Sequence, residues 1–190
     1  MKCLSENRVK GEPFSRFFQQ NNEIVFKGVL NNLLLGKKRK LGRRIEEISI
    51  GEKLSITEKV EDKDLLLYLG LTDDANPLYI QHDYASQTPF EKPMVPTIML
   101  TGMITSAVSK YLPGPGSHII KQEIEFQKPV YHYEKVELLF EVIEVNSAEH
   151  FILLKINGLN GQGETVIKGT LKVCPPYRLM DIHSEALENF

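Results

Sequence analysis

Residues 97–112 constrain the fold more than any other stretch of the chain. Ile98, Met99, Leu100, Met103, Ile104, Ala107, Val108 and Leu112 succeed one another at helical spacing and leave little of the circumference polar. A helix that is apolar on nearly every side is one that a domain buries. Pro113-Gly114-Pro115-Gly116 ends it. The C-terminal third of the chain supplies the material to bury it. Ile119–Val130 alternates in part, and Val136–Val145, Phe151–Leu159 and Glu164–Val173 are rich in β-branched residues. Turn residues such as Gly158-Leu159-Asn160-Gly161-Gln162-Gly163 separate them, as between strands.

Upstream, Leu54–Val60 reads as a first strand. Asp62 is a suitable N-cap for a helix over 62–71, which carries Leu65, Leu66, Leu67 and Leu69. Thr72–Pro77 has the composition of a turn, and a second short helix is expected over 82–87. The order is then one strand, helices, and several consecutive strands. That pattern is α+β, because strands and helices do not alternate. An antiparallel sheet wrapped around the 97–112 helix, the hot-dog fold, is the simplest way to bury it. Such a sheet leaves an edge that a second subunit can cover, so a homodimer is expected.

At 190 residues the chain is long enough for one domain with a real core and an extension. Residues 1–44 hold eleven Lys and Arg against three Glu, whereas the remainder holds twelve against twenty-two acidic residues. The expected organisation is a basic N-terminal extension over 1–44, flexible or loosely docked, a body over 45–176, and a tail over 177–190. Ile24–Leu35 has the makings of a short helix weakened by Gly28 and Asn31-Asn32, and Ser184–Phe190 of a terminal helical turn. The basic run at 37–44 reads as a solvated linker or as a contact for phosphates, an acidic carrier protein, anionic lipid or nucleic acid. A net charge of −2 gives the whole chain no bias toward nucleic acid, and no nucleic-acid partner is expected. Cys3 and Cys174 imply no disulfide framework. No apolar run approaches the roughly 18 residues of a membrane span, and the N-terminus lacks a secretory pattern. A reducing cytoplasm is the expected location.

Three segments carry a resemblance. The first is Asp74-Ala75-Asn76-Pro77-Leu78-Tyr79, the second Pro89-Phe90-Glu91-Lys92-Pro93-Met94-Val95-Pro96-Thr97, and the third Phe126-Gln127-Lys128-Pro129-Val130-Tyr131-His132-Tyr133-Glu134-Lys135-Val136. In order and spacing they resemble the D-x-N-P-L-H, F-E-R-P-I-V-H-G and F-x-x-P-V-x-x-G-D-x-V segments of the MaoC-like (R)-specific enoyl-CoA hydratases. The resemblance runs from about Ile48 to Val173. The departures cluster where the chemistry would be. Tyr79 stands at the family's histidine, Pro96-Thr97 at its His-Gly pair, and Tyr133-Glu134 at its Gly-Asp.

The resemblance implies addition of water across an α,β-unsaturated acyl-CoA or acyl-carrier thioester. It implies no cofactor apart from the CoA or phosphopantetheine of the substrate. Asp74 corresponds to the carboxylate that handles water, and Asp followed by Asn-Pro is also an ordinary turn former. The backbone N–H of Thr97, at the start of the helix, corresponds to the donor for the developing oxyanion. Tyr79 retains a hydroxyl to donate, but a phenol with an ordinary pKa of about 10 is a poor base near neutral pH. Asn76, Pro96, Thr101 and Thr105 are expected to line the substrate site. Thr97, Thr101, Thr105 and Ser109 form one hydroxyl stripe, which either lines the acyl tunnel or lets helix and sheet approach closely. His82 reads either as a solvent-facing helix residue or as an imidazole offered to the site from the next turn. No His, Cys and Asp spacing resembles a metal site. Two functions compete: a hydratase or dehydratase, and a non-catalytic thioester-binding subunit, alone or paired with a catalytic homologue. Thioester hydrolysis is a third reading that D-x-N-P-L does not favour.

Overall fold

The computed structural model describes residues 41–178. The candidate helix at 24–35, the basic residues at 37–40 and the C-terminal turn lie outside them. After a 3-10 turn at Ile45–Glu47 come β1 (Lys53–Lys59), α1 (Asp62–Thr72), α2 (Pro77–Ile80), α3 (His82–Ala85) and α4 (Thr97–Lys110). Four more strands complete the order: β2 (His118–Phe126), β3 (Lys135–Asn146), β4 (Phe151–Leu159) and β5 (Thr165–Cys174). They form one five-stranded sheet in the order β1-β3-β4-β5-β2, every neighbour antiparallel. With α4 packed on one face, this is the α+β hot-dog arrangement.

The two-residue period of the strands decides which face α4 meets. On β3, Val136, Leu138, Phe140 and Val142 are buried at every second position. The register carries that layer across the sheet, Leu54 opposite Phe140, Phe140 opposite Ile156, and Ile156 opposite Gly169. Gly158 belongs to the same layer, and a Cβ there would lie 2.8 Å from the Cβ of Ile167, so the glycine makes room for its neighbour. The other face is charged. Lys53 faces Glu141, Glu141 faces Lys155, and Lys155 faces Thr170. Opposite charges on adjacent strands suit a solvated surface.

α4 is less uniformly buried than its sequence suggests. Leu100, Ile104, Ala107 and Val108 pack into the core, while Ile98 remains 56% exposed and Thr97, Thr105 and Ser109 are exposed as well. The sheet covers one side only. Of the hydroxyl stripe, Thr101 is half-buried and the other three are exposed. The helix also stops at Lys110, two residues early. Leu112 precedes Pro113, a position that disfavours helical backbone.

Other local differences have simple causes. The N-cap of α1 is Glu61, with the Asp64 carboxylate accepting from the Glu61 N–H at 3.0 Å, and Asp62 is already helical. The helix expected over 82–87 is shorter, and Pro77–Ile80 adds a helical turn where the composition suggests a loop. β2 ends at Phe126, ahead of Pro129, which has no N–H to offer a ladder. The body also reaches further toward the N-terminus than residue 45. The Gly42 N–H donates to the Pro115 carbonyl at 2.7 Å and that of Arg43 to the Pro113 carbonyl at 2.9 Å. A Cβ at Gly42 would come within 2.5 Å of the Pro113 oxygen, so the contact requires glycine.

Burial of each large aliphatic side chain contributes about 1.5–3 kcal/mol. Ile104, fully buried where α4 meets the sheet, therefore carries much of the packing. Replacing it with alanine should lower stability by about 2–5 kcal/mol, measured by urea unfolding, whereas Lys110→Ala on the exposed end should stay within about 0.5 kcal/mol.

Candidate functional site

The first part of the site is built where α1 ends. Asp73 takes a left-handed conformation at φ 54° and its N–H caps the Leu69 carbonyl at 2.9 Å, turning the chain out of the helix. Asp is among the few residues besides glycine that tolerate this. Asp74 comes next, half-buried. Its Oδ1 accepts from the Asn76 N–H at 3.2 Å, which is the turn-forming role its sequence context suggests. Its Oδ2 accepts from the hydroxyl of Tyr68, one turn back on α1. Asn76 then caps α2, its Oδ1 accepting from the Leu78 N–H at 3.0 Å, and Pro77 fills the first helical position. Tyr79, half-buried, sits in the middle of that turn.

Tyr68 is not among the residues that the sequence singles out, although its place six residues before Asp74, on an expected helix, is a usable signal. The bond to Asp74 holds its phenol above the ordinary value; desolvation adds to the rise, and Tyr79 is near enough to add a smaller contribution. A phenol with a raised value stabilises the fold below the ordinary phenol range and loses that contribution only as pH rises through the raised value. The Tyr68–Asp74 bond is therefore intact across neutral pH.

The second part of the site is the start of α4. Pro96 is buried and forms the N-cap, one position before the first turn. Thr97 and Ile98 open the helix, where N–H groups have no intrahelical acceptor and the helix dipole favours negative charge. Thr97 is exposed. Further along, the Thr101 hydroxyl donates to the Thr97 carbonyl at 3.2 Å and that of Thr105 to the Thr101 carbonyl at 3.0 Å. Both hydroxyls thus have partners within the helix. Thr105 and Ser109 also line a groove of about 450 Å³ against Ser117–Gln122 of the β2 edge, where the Ser117 hydroxyl oxygen is buried without a partner. A larger concavity of about 690 Å³, lined by Lys53, Ser55, Lys155 and Lys168 among others, contains none of the candidate residues.

Met94 joins the two parts. Its N–H donates to the Leu78 carbonyl at 3.0 Å, next to Tyr79 in α2. The next residue, Val95, donates to the Val130 carbonyl at 2.8 Å. From the other side, His132 Nε2 contacts the Met94 carbonyl at 3.2 Å and the Tyr131 hydroxyl donates to the Phe90 carbonyl at 3.0 Å. Burial holds the Tyr131 phenol above its ordinary value, with Glu91 and Glu134 adding to it. The loop entering α4 is therefore fixed to α2 and to the 130–132 segment together. His82, the first residue of α3, is exposed. Among the described residues no group of three His, Cys, Asp or Glu is placed to hold a metal, and no helix is long and apolar enough to cross a membrane.

A family model described as "MaoC like domain" matches residues 46–156. The (R)-specific enoyl-CoA hydratase of Rhodospirillum rubrum is 28% identical over 133 residues, covering 70% of this chain and 92% of that protein. The 3-hydroxybutyryl-CoA dehydratase of Methylorubrum extorquens is 28% identical over 100 residues, 53% of this chain and 64% of that protein. Among solved structures, the (R)-hydratase of Aeromonas caviae superposes with a TM-score of 0.66 at 24% identity, covering 69% of this chain and 99% of that one, and supports the fold. The chain belongs to the MaoC-like domain family.

The cap at Asn76 sets the direction of α2 and hence of Tyr79. Asn76→Ala should lower stability by about 0.5–2 kcal/mol in urea unfolding.

Proposed function

We propose that this member of the MaoC-like domain family is a hydratase or dehydratase of acyl thioesters, working on an enoyl-CoA or its acyl-carrier equivalent. The observation that supports the reading is the Met94 N–H bond to the Leu78 carbonyl at 3.0 Å, which ties the turn that follows the half-buried Asp74 to the loop that enters α4 at Thr97. In the hydration direction Asp74 accepts a proton from water while the water oxygen bonds to the β carbon. The displaced π electrons move onto the thioester oxygen, where the Thr97 N–H and the helix dipole meet the developing charge. The proton on the carboxyl then passes to the α carbon, and the carbonyl re-forms. Tyr79 donates a hydrogen bond to the reacting water or the product hydroxyl. Asn76 and Pro96 hold the two parts of the site, and Thr101 and Thr105 lie along the path of the acyl chain. His82, exposed at the start of α3, is assigned no step in this mechanism.

A second reading, binding without turnover, is supported by Tyr79, a half-buried phenol at the position where the segment resemblance expects a histidine. Loss of a general acid–base group typically costs about 10²–10⁴ in rate. In this reading the chain holds acyl thioesters for a catalytic homologue.

Crotonyl-CoA and a longer enoyl-CoA separate the two. Hydration, followed as loss of the conjugated-thioester absorbance, should be present in the unmodified chain and absent in Asp74→Asn. Tyr79→His should raise the rate, by up to about 10²-fold. Saturable thioester binding with no hydration in either form would favour the binding reading.

A dimer fits the same reading of the fold. Strand β2 is an edge with Ile120 52% exposed, and α4 leaves Ile98 exposed. Sedimentation should give a particle of twice the 21.7 kDa chain mass.

A further inference from the structure

We infer that Tyr68 is a positioning residue for Asp74, holding the carboxylate in the one orientation in which its remaining lone pairs face a water. The inference rests on the hydratase reading and adds a residue to its site. It starts from a closed ring of hydrogen bonds. The Tyr68 hydroxyl donates to Asp74 Oδ2. The Asp74 N–H donates to Thr72 Oγ1 at 3.3 Å, and the Thr72 hydroxyl donates to the Tyr68 carbonyl at 2.8 Å. Side chain and main chain of one tyrosine thus hold side chain and main chain of one aspartate. The fourth bond, from the Asn76 N–H to Oδ1 at 3.2 Å, fixes the other carboxylate oxygen.

An ionised carboxylate has about four lone-pair sites. Two are occupied, one on each oxygen, so two remain for water. Rotation of the Asp74 side chain breaks both bonds together, which restrains the carboxylate more than either bond alone. The ring also crosses the end of α1. The last helical turn supplies Tyr68 and Thr72, and the loop supplies Asp74, so the rigidity of the helix is transmitted to the reacting group. A site without the motif's imidazole has one fewer side chain to orient water, and the orientation of the carboxylate carries correspondingly more of the catalysis. The raised phenol of Tyr68 agrees with this geometry, since a donor bonded to a carboxylate resists ionisation.

The test is Tyr68→Phe in the full chain, which keeps the ring and its packing and removes only the hydroxyl. With crotonyl-CoA as substrate, kcat should fall by about 10- to 100-fold, the scale of a misplaced catalytic group, while KM stays within about twofold of the unmodified value. A second readout needs no turnover. In chains carrying ¹³C-labelled tyrosine at the ring carbon bonded to oxygen, the Tyr68 resonance should titrate above the ordinary phenol range and move down toward it in Asp74→Asn. Wild-type kcat in Tyr68→Phe, a loss confined to KM, or a Tyr68 titration indifferent to Asp74→Asn overturns the inference and leaves the hydratase reading standing. Absence of hydration in the unmodified chain overturns that reading, and the positioning role with it.

Discussion

Burial of one face of α4 against the five-stranded sheet is the constraint on which everything else in the molecule depends. Leu100, Ile104, Ala107 and Val108 meet a layer built from alternate residues of β3, β4 and β5. That contact fixes the helix axis and rotation, and so fixes where its first N–H groups point. It also leaves the opposite side of α4 uncovered, with Thr97, Ile98, Thr105 and Ser109 outward. One packing decision therefore fixes the start of α4 and leaves its outer side open.

The carboxylate half of the site is built differently. α1 buries only Leu65, and Leu66, Leu67 and Leu71 are exposed, so hydrophobic packing alone does not hold it. Polar bonds do: Asp64 to the Glu61 N–H, Asp73 to the Leu69 carbonyl, and the Tyr68–Thr72–Asp74 ring. The Met94 bond to Leu78 then ties this locally determined unit to the start of the core helix. Individually such bonds contribute on the order of 1 kcal/mol. Their value lies in fixing relative position, which matters more to chemistry than to stability.

Much of the fold is legible in the sequence because its signals are strong and local. The sequence pattern places β4 residue for residue, and β3 and β5 within a position or so, since β-branched-rich runs bounded by turn residues mark them. Asp74, Asn76 and Thr97 are recognisable through segment resemblance, and the structure gives each a defined position. The misreadings share a cause. The exposed side of α4 is invisible in the sequence because a helical wheel reports which residues are apolar, and not which side a sheet covers. The His132 contact to Met94 is invisible there because it joins residues 38 apart in sequence. Asn76-Pro77 has the look of a turn because Pro beside Asn signals a break, and here the same two residues start a helical turn.

The claim that Asp74 and the Thr97 N–H act on one thioester is tested most directly by a crystal structure of the chain with butyryl-CoA, a saturated analogue that cannot be hydrated. The thioester oxygen should lie about 3 Å from the Thr97 nitrogen, with an ordered water between the Asp74 carboxylate and the β carbon. A bound thioester whose carbonyl turns away from Thr97, with its β carbon remote from Asp74, would contradict it.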